Sequence, residues 1–162
     1  MILDKQNMYS DDQTVGTTDT ASTNVIDHGA PATPKTTGKI AGRAMYRDMG
    51  VGVCIPLLVQ VTESFVATDS TSTLVVKLQA DNDEAFGSPT TLYTAGALTA
   101  ANLVAGTRIP MMAVLPEGLN ERYTRLYYDV THATTHTFSA GKITAGIVAA
   151  ITSGIEAKAF RS

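Results

Sequence analysis

Five short constellations in this sequence hold residue types able to do chemistry, and their spacing decides what each could be. His132 and His136 form an H-x-x-x-H, which on a helix would set two imidazoles on one face for a metal. They stand instead in a Thr-rich stretch between two strand-like segments, with no H-E-x-x-H and no third ligand at useful spacing, so exposed turn histidines are expected. Asp81, Asp83 and Glu84 resemble a fragment of a calcium loop, but the Gly and the distant Glu of an EF-hand are missing, and a solvated turn is expected. Gly50-Val51-Gly52 lacks the third glycine and the following helix of a dinucleotide fingerprint. Cys54 is the single cysteine; between Val53 and Ile55 it reads as a small buried hydrophobe, and alone it can form no intramolecular disulfide. His28, beside Gly29, supports nothing by itself. There is no G-x-S-x-G elbow and no Walker A run. The expectation is a protein that is not an enzyme, with no cofactor and no metal.

Composition narrows the partners. The chain of 162 residues carries a net charge of −3, which argues against nucleic acid as the main partner. Charged residues make up 17% of it, below the usual quarter, with Thr, Ala, Ser and Gly filling the gap. Such a neutral surface suits coverage by a protein partner. No stretch is long and apolar enough to span a bilayer; the best, around Ile143 to Ile151, is short and Gly-broken. Met1-Ile2-Leu3-Asp4-Lys5 lacks the charged start and apolar run of a signal peptide, so synthesis in the cytoplasm is expected.

The elements that would position any site are strands. Thr73 to Gln79 alternates, with Leu74, Val76 and Leu78 on one face. Tyr123 to Thr131 alternates too: Tyr123, Arg125, Tyr127 and Asp129 face one way, Thr124, Leu126, Tyr128 and Val130 the other. Asn24 to Asp27, Ile55 to Thr62, Thr90 to Thr94, Thr107 to Met112 and Lys142 to Ile151 read as further strands. Ala95 to Gly106 could hold one helical turn. Asp81 to Glu84, Gly87-Ser88-Pro89 and Pro116 to Leu119 are turn chemistry. About seven short strands with turns between them predict an all-β, antiparallel, jelly-roll-like sandwich. Its core would be Leu58, Val61, Leu74, Val76, Leu78, Leu126, Tyr128, Val130, Ile143 and Ile147.

Two segments stand outside that pattern. Residues 1–22 are polar, with an apolar cluster at Ile2, Leu3, Met8 and Tyr9, and read as an N-terminal arm whose apolar residues dock on a neighbouring surface. Within the domain at 23–152, residues 29–52 read as a long irregular loop carrying Lys35, Lys39, Arg43 and Arg47 against one acid, Asp48. That loop is basic in an otherwise acidic chain and would steer toward an acidic surface. Residues 153–162 form a C-terminal tail. The neutral, Thr/Ala-rich surface and the unpaired edge strands expected of a sandwich favour self-association.

A run of segments in fixed order resembles the capsid cement (decoration) proteins of some short-tailed phages. The run opens with Met1-Ile2-Leu3-Asp4-Lys5-Gln6-Asn7, Ser22-Thr23-Asn24-Val25-Ile26-Asp27 and Leu58-Val59-Gln60-Val61-Thr62. It continues through Leu78-Gln79-Ala80-Asp81-Asn82-Asp83-Glu84-Ala85-Phe86, Leu103-Val104-Ala105-Gly106 and Leu115-Pro116-Glu117-Gly118-Leu119. It closes with Glu121 to Tyr128 and Phe138 to Gly146. The loop at Lys35 to Met49 and the tail at Ser153 to Ser162 depart from the family's usual pattern. The resemblance implies a jelly-roll homo-oligomer, a dimer ahead of a trimer, on the outer surface of the virion, bound to major capsid protein of the HK97 fold. The rival expectation is a sugar-binding jelly-roll adhesin domain of a phage tail or fibre; it calls for aromatic platforms, and this chain has no Trp and only 6% aromatic residues.

Overall fold

A computed structural model describes residues 3–16, 18–29, 35–40, 43–45, 56–67, 71–111, 121–131 and 138–148. Its strands are β1 (Leu3–Thr14), β2 (Thr20–Ala21), β3 (Ile26–Asp27), β4 (Lys35–Ile40), β5 (Arg43–Met45), β6 (Leu57–Ala67), β7 (Thr73–Asp81), β8 (Thr90–Thr94), β9 (Leu98–Thr99), β10 (Tyr123–Thr131) and β11 (Phe138–Val148). One 3₁₀ turn, Ala100–Asn102, stands where the sequence allowed a helical turn.

All strands but β4 and β5 belong to two antiparallel sheets. One has the order β1-β11-β6, and its free edge is extended by residues 103–109, which run antiparallel along β6. Four backbone bonds tie that segment down: Phe65 N to Leu103 O, Val61 N to Thr107 O, Gly106 N to Val61 O and Ile109 N to Val59 O. The other sheet has the order β2-β10-β7-β8, with β3 beside β10 and β9 beside β7. The chain crosses between the two sheets after β1, between β3 and β6, after β6, after β9, after residues 103–109 and after β10, which is the double Greek-key arrangement of a jelly roll. The all-β sandwich expected from the sequence is the observed fold.

Alternation explains the two central strands of the six-stranded sheet. In β10, Thr124, Leu126, Tyr128 and Val130 are buried while Tyr123, Arg125, Tyr127 and Asp129 are half-buried on the outer face. In β7, Leu74, Val76 and Leu78 point into the same core, in register with Val130, Tyr128 and Leu126. The facing sheet contributes Tyr9, Val15, Leu57, Val59, Val61, Phe65, Phe138, Ile143 and Ala145. Phe65 and Phe138 meet edge to face at 5.0 Å, an arrangement worth about 1 kcal/mol beyond burial. Phe65 also covers Gly141, whose φ is +147° and where a Cβ would come within 2.5 Å of the ring.

Of the expected core, Ile147 is only partly buried. Leu58 is buried but outside the main cluster, opposite Gly146 on the outer face of its sheet. Thr107 to Met112 is not a regular strand: as far as Met111 it is irregular, with a single bridge from Arg108 to Gln60.

Two larger differences concern the outlying segments. From Leu3 to Thr14 the expected arm is strand β1, paired along β11 from Leu3–Val148 to Thr14–Lys142. Its register shifts three times, and Asp12 takes φ +47° at one irregularity. These bulges break the period of two that would have marked it as a strand. The expected irregular loop contains a hairpin, β4 against β5, with Lys35 opposite Met45, Lys39 opposite Ala44 and Arg43 opposite Ile40. The hairpin is a sheet of its own, hydrogen-bonded as a ladder to neither sheet of the sandwich.

Candidate interaction surfaces

The apolar residues expected to grip a neighbour are used by the domain itself. Tyr9 is fully buried in the core and Met8 is 7% exposed. Met8 lies over Gly146, where the strands approach so closely that a Cβ would meet Met8 Cα at 3.1 Å and Asn7 O at 2.9 Å. As an exposed anchor the pair is therefore overturned. Leu3 begins β1 opposite Val148, and Ile2 lies outside the described residues.

Buried hydroxyls hold β1 to the opposite sheet. The Tyr9 and Thr124 hydroxyls lie 2.7 Å apart, and His28 Nε2 is 2.6 Å from Thr124 Oγ1. Ser10 Oγ donates to Gln13 Oε1 at 2.7 Å and lies 2.7 Å from the Tyr128 hydroxyl. Sequence reasoning missed this network because its members are separated by about a hundred residues, and because Ser10, Gln13 and Thr124 resemble surface residues by type.

Three of the four basic residues, Lys35, Lys39 and Arg43, lie on the strands of the β4–β5 hairpin, with no acid between them in sequence. Arg47 lies outside the described residues, as do Cys54, Gly50-Val51-Gly52, His132 and His136. The remaining described cations of the sandwich are largely engaged. Arg122 makes a two-pronged pair with Asp27, both bonds at 2.9 Å, which raises its pKa. Lys142 bridges Asp12 and Glu63 at 3.2 Å each. Asp12 in turn is held below its ordinary value, first by the Thr62 hydroxyl and then by Lys142. Lys77 pairs with Asp129, whose hydrogen bond raises the lysine's pKa.

The acidic turn is built on its own backbone. Asp81 accepts from the Asp83 and Ser88 amides and Asp83 from the Ala85 amide, each at 3.0 Å. These carboxylates fold the turn and set Phe86, at φ +52°, under Arg125, whose guanidinium lies 4.2 Å from the ring centroid. Desolvation in that stack lowers the Arg125 pKa. Among the described residues no three His, Cys, Asp or Glu side chains are grouped to hold a metal. Two depressions, of about 120 and 320 Å³, are lined mostly by aliphatic side chains and by Thr, Gly and Ser, with Arg108 the one charged side chain between them.

A family model matches residues 9–147, from within β1 to near the end of β11. The chain belongs to the Bbp16 family. This is a phage-related family, and the match covers the sandwich from the second half of β1 onward. No curated protein matches the chain. Membership agrees with the phage connection expected from the sequence and, at that level, with a phage structural protein.

Proposed function

We propose that this protein is a non-enzymatic structural component of the virion that binds the outside of a tailed-phage capsid and bridges subunits of its major capsid protein, an HK97-fold partner. The observation that carries the reading is a β-sandwich of a phage-related family whose separate hairpin bears Lys35, Lys39 and Arg43 without an acid. Lys77, Arg122 and Lys142 of the sandwich are committed to internal ion pairs, and the hairpin sequence concentrates three positive charges in a short span without an acid. Charge of this kind contributes orientation and on-rate toward an acidic shell more than raw affinity. Bridging requires no reaction: each copy adds contact area between shell subunits, and repeated sites raise the effective affinity of weak contacts.

The sugar-binding reading needs open ring faces. On the outer face of the six-stranded sheet Arg122 lies over Tyr123 at 4.8 Å and Arg125 covers Phe86, which weighs against it.

Negative-stain microscopy of purified capsids mixed with the protein tests the proposal: added density on the outer surface supports it, and bare capsids at saturating protein refute it. Replacing Lys35, Lys39 and Arg43 together by Ser should remove the part of binding that weakens between low salt and physiological salt while the far-UV spectrum stays that of the parent. Unchanged salt dependence would refute the role given to the hairpin.

A further inference from the structure

Lys77, Arg122 and Lys142 all end in ion pairs, and Arg125 does not. Arg125 stands on the outer face of β10, opposite Gln79 of β7. Its Nε donates to Gln79 Oε1 at 2.9 Å, its one hydrogen bond among the described residues. Gln79 is only 8% exposed, so that acceptor is held in place. The guanidinium lies 4.2 Å from the centroid of the Phe86 ring and 5.6 Å from that of Tyr127. With Nε engaged, Nη1 and Nη2 keep their four N–H donors without an acceptor among the described residues.

The support beneath this guanidinium is strained. Phe86 takes φ +52°, a left-handed backbone unfavourable for a bulky side chain. Its amide donates to Asp83 O at 3.0 Å, and the Asp81 and Asp83 side chains fix the turn around it. Backbone strain of this kind collects where a fold holds a side chain ready for a ligand. Desolvation in the stack already lowers the Arg125 pKa, so part of the cost of drying the guanidinium falls on folding rather than on binding. Tyr123 and Tyr127 flank it on the same face of β10, and Arg and Tyr are the side chains that most often anchor protein interfaces.

We propose that Arg125, stacked on Phe86, takes an aspartate or glutamate side chain of the capsid shell, so that this face of the sandwich and the basic hairpin grip one partner. This deepens the reading of the protein as a shell-binding component and rests on it. The chemistry of the site selects the ligand. A guanidinium held flat, with both terminal nitrogens free, matches a planar carboxylate through two parallel N–H bonds. Asp81, Asp83 and Glu84 lie at the same end of the sheet, with Asp81 acting on Arg125 and Glu84 on Arg122. That acidic rim repels a polyanion such as nucleic acid and suits one carboxylate on an otherwise uncharged surface. The position fits as well: His28, near the root of the hairpin segment, donates its amide to Arg122 O at 2.7 Å, and Arg122 leads directly into the strand that carries Arg125.

Titration of purified capsids with the full chain, read by co-sedimentation, tests the proposal. Arg125→Lys keeps the charge and loses the planar pair of donors, and Arg125→Gln loses both. Each should raise the concentration needed for half-maximal decoration at least tenfold with an unchanged far-UV spectrum. Lys142→Gln removes the same charge from the other sheet and should stay within threefold of the parent. Glu84→Gln should decorate as tightly as the parent or more so, because it lifts a repulsion from the incoming carboxylate. A change of less than tenfold in Arg125→Lys overturns the proposal; a merely structural Arg125 would lower the unfolding temperature and leave decoration as it was. Weaker decoration by Glu84→Gln overturns it too, since the face would then be taking a cation. So does a loss in Lys142→Gln as large as that in Arg125→Gln, since net charge alone would then be read. If Arg125→Gln fails to fold, Arg125→Lys decides by itself. The two failures are distinguishable: a parent that leaves capsids bare overturns the shell-binding reading, whereas a parent and an Arg125→Lys variant that decorate alike overturn only the role of Arg125.

Discussion

Replacing Ser10 by Ala should destabilise the domain more than replacing Tyr128 by Phe, although both remove one hydroxyl from the same hydrogen bond. Tyr128 is fully buried on β10 and Ser10 is fully buried on β1, so the 2.7 Å contact joins the two sheets. Ser10 already donates to Gln13 Oε1, so in the contact with Tyr128 it accepts and the phenol donates. Burial pushes the phenol pKa far above its ordinary value of 10.0, keeping that donor protonated. In Tyr128→Phe the serine keeps its bond to Gln13, and the loss is one net hydrogen bond, about 1 kcal/mol. In Ser10→Ala the phenol O–H is left in a dry core, and the cost rises to about 1–3 kcal/mol, the desolvation penalty of an unsatisfied buried group. The double variant removes both partners and should cost about as much as Tyr128→Phe alone, so the two losses are not additive. Urea unfolding followed by far-UV circular dichroism, with the m-value unchanged, measures all three. A Ser10→Ala loss no larger than that of Tyr128→Phe, or strict additivity in the double variant, would refute the argument.

Gly141→Ala should be costly, on the order of 1–3 kcal/mol for the backbone conformation alone with the Phe65 clash added, whereas Gly96→Ala, which meets nothing within 4 Å, should stay within about 0.5 kcal/mol; thermal unfolding compares the two directly. Asp81 is held below its ordinary 3.8 by the Asp83 amide first and the Ser88 amide after it. A depressed carboxylate stabilises above its unfolded value and ceases to as pH falls through its folded value, so the turn should loosen only below pH 3.8. The amide proton shifts of Asp83 and Ser88 should move together there, and a midpoint above 3.8 would sink the assignment.

The fold was legible where one face of a strand is wet and the other dry. β7 and β10 satisfy that condition along their lengths, and their inward residues are those the alternation marked. β1 does not, because its bulges shift the phase between Met8 and Gln13 and because its inward side carries Ser10 as well as Tyr9. The hydroxyl bonds that make burying Ser10 tolerable come from β10, and nothing local in the sequence announces them. The β4–β5 hairpin was hidden by Gly38 and Gly42 and by short strands without alternation. On the interaction side, the basic cluster could be found from charge alone.

Charge in this chain is sorted rather than merely scarce, and the sorting bears on affinity. A single hairpin with three cations offers surface ion pairs worth about 0–1 kcal/mol each, too little for lasting attachment to a shell. Repeated sites on a shell raise the effective affinity of such weak contacts, so the hairpin's charge should count most where screening is least. Replacing Lys35, Lys39 and Arg43 together by Ser should raise the protein concentration needed for half-maximal decoration at low salt and change it little at high salt. An equal effect at every salt concentration would mean that the three side chains act through packing rather than charge.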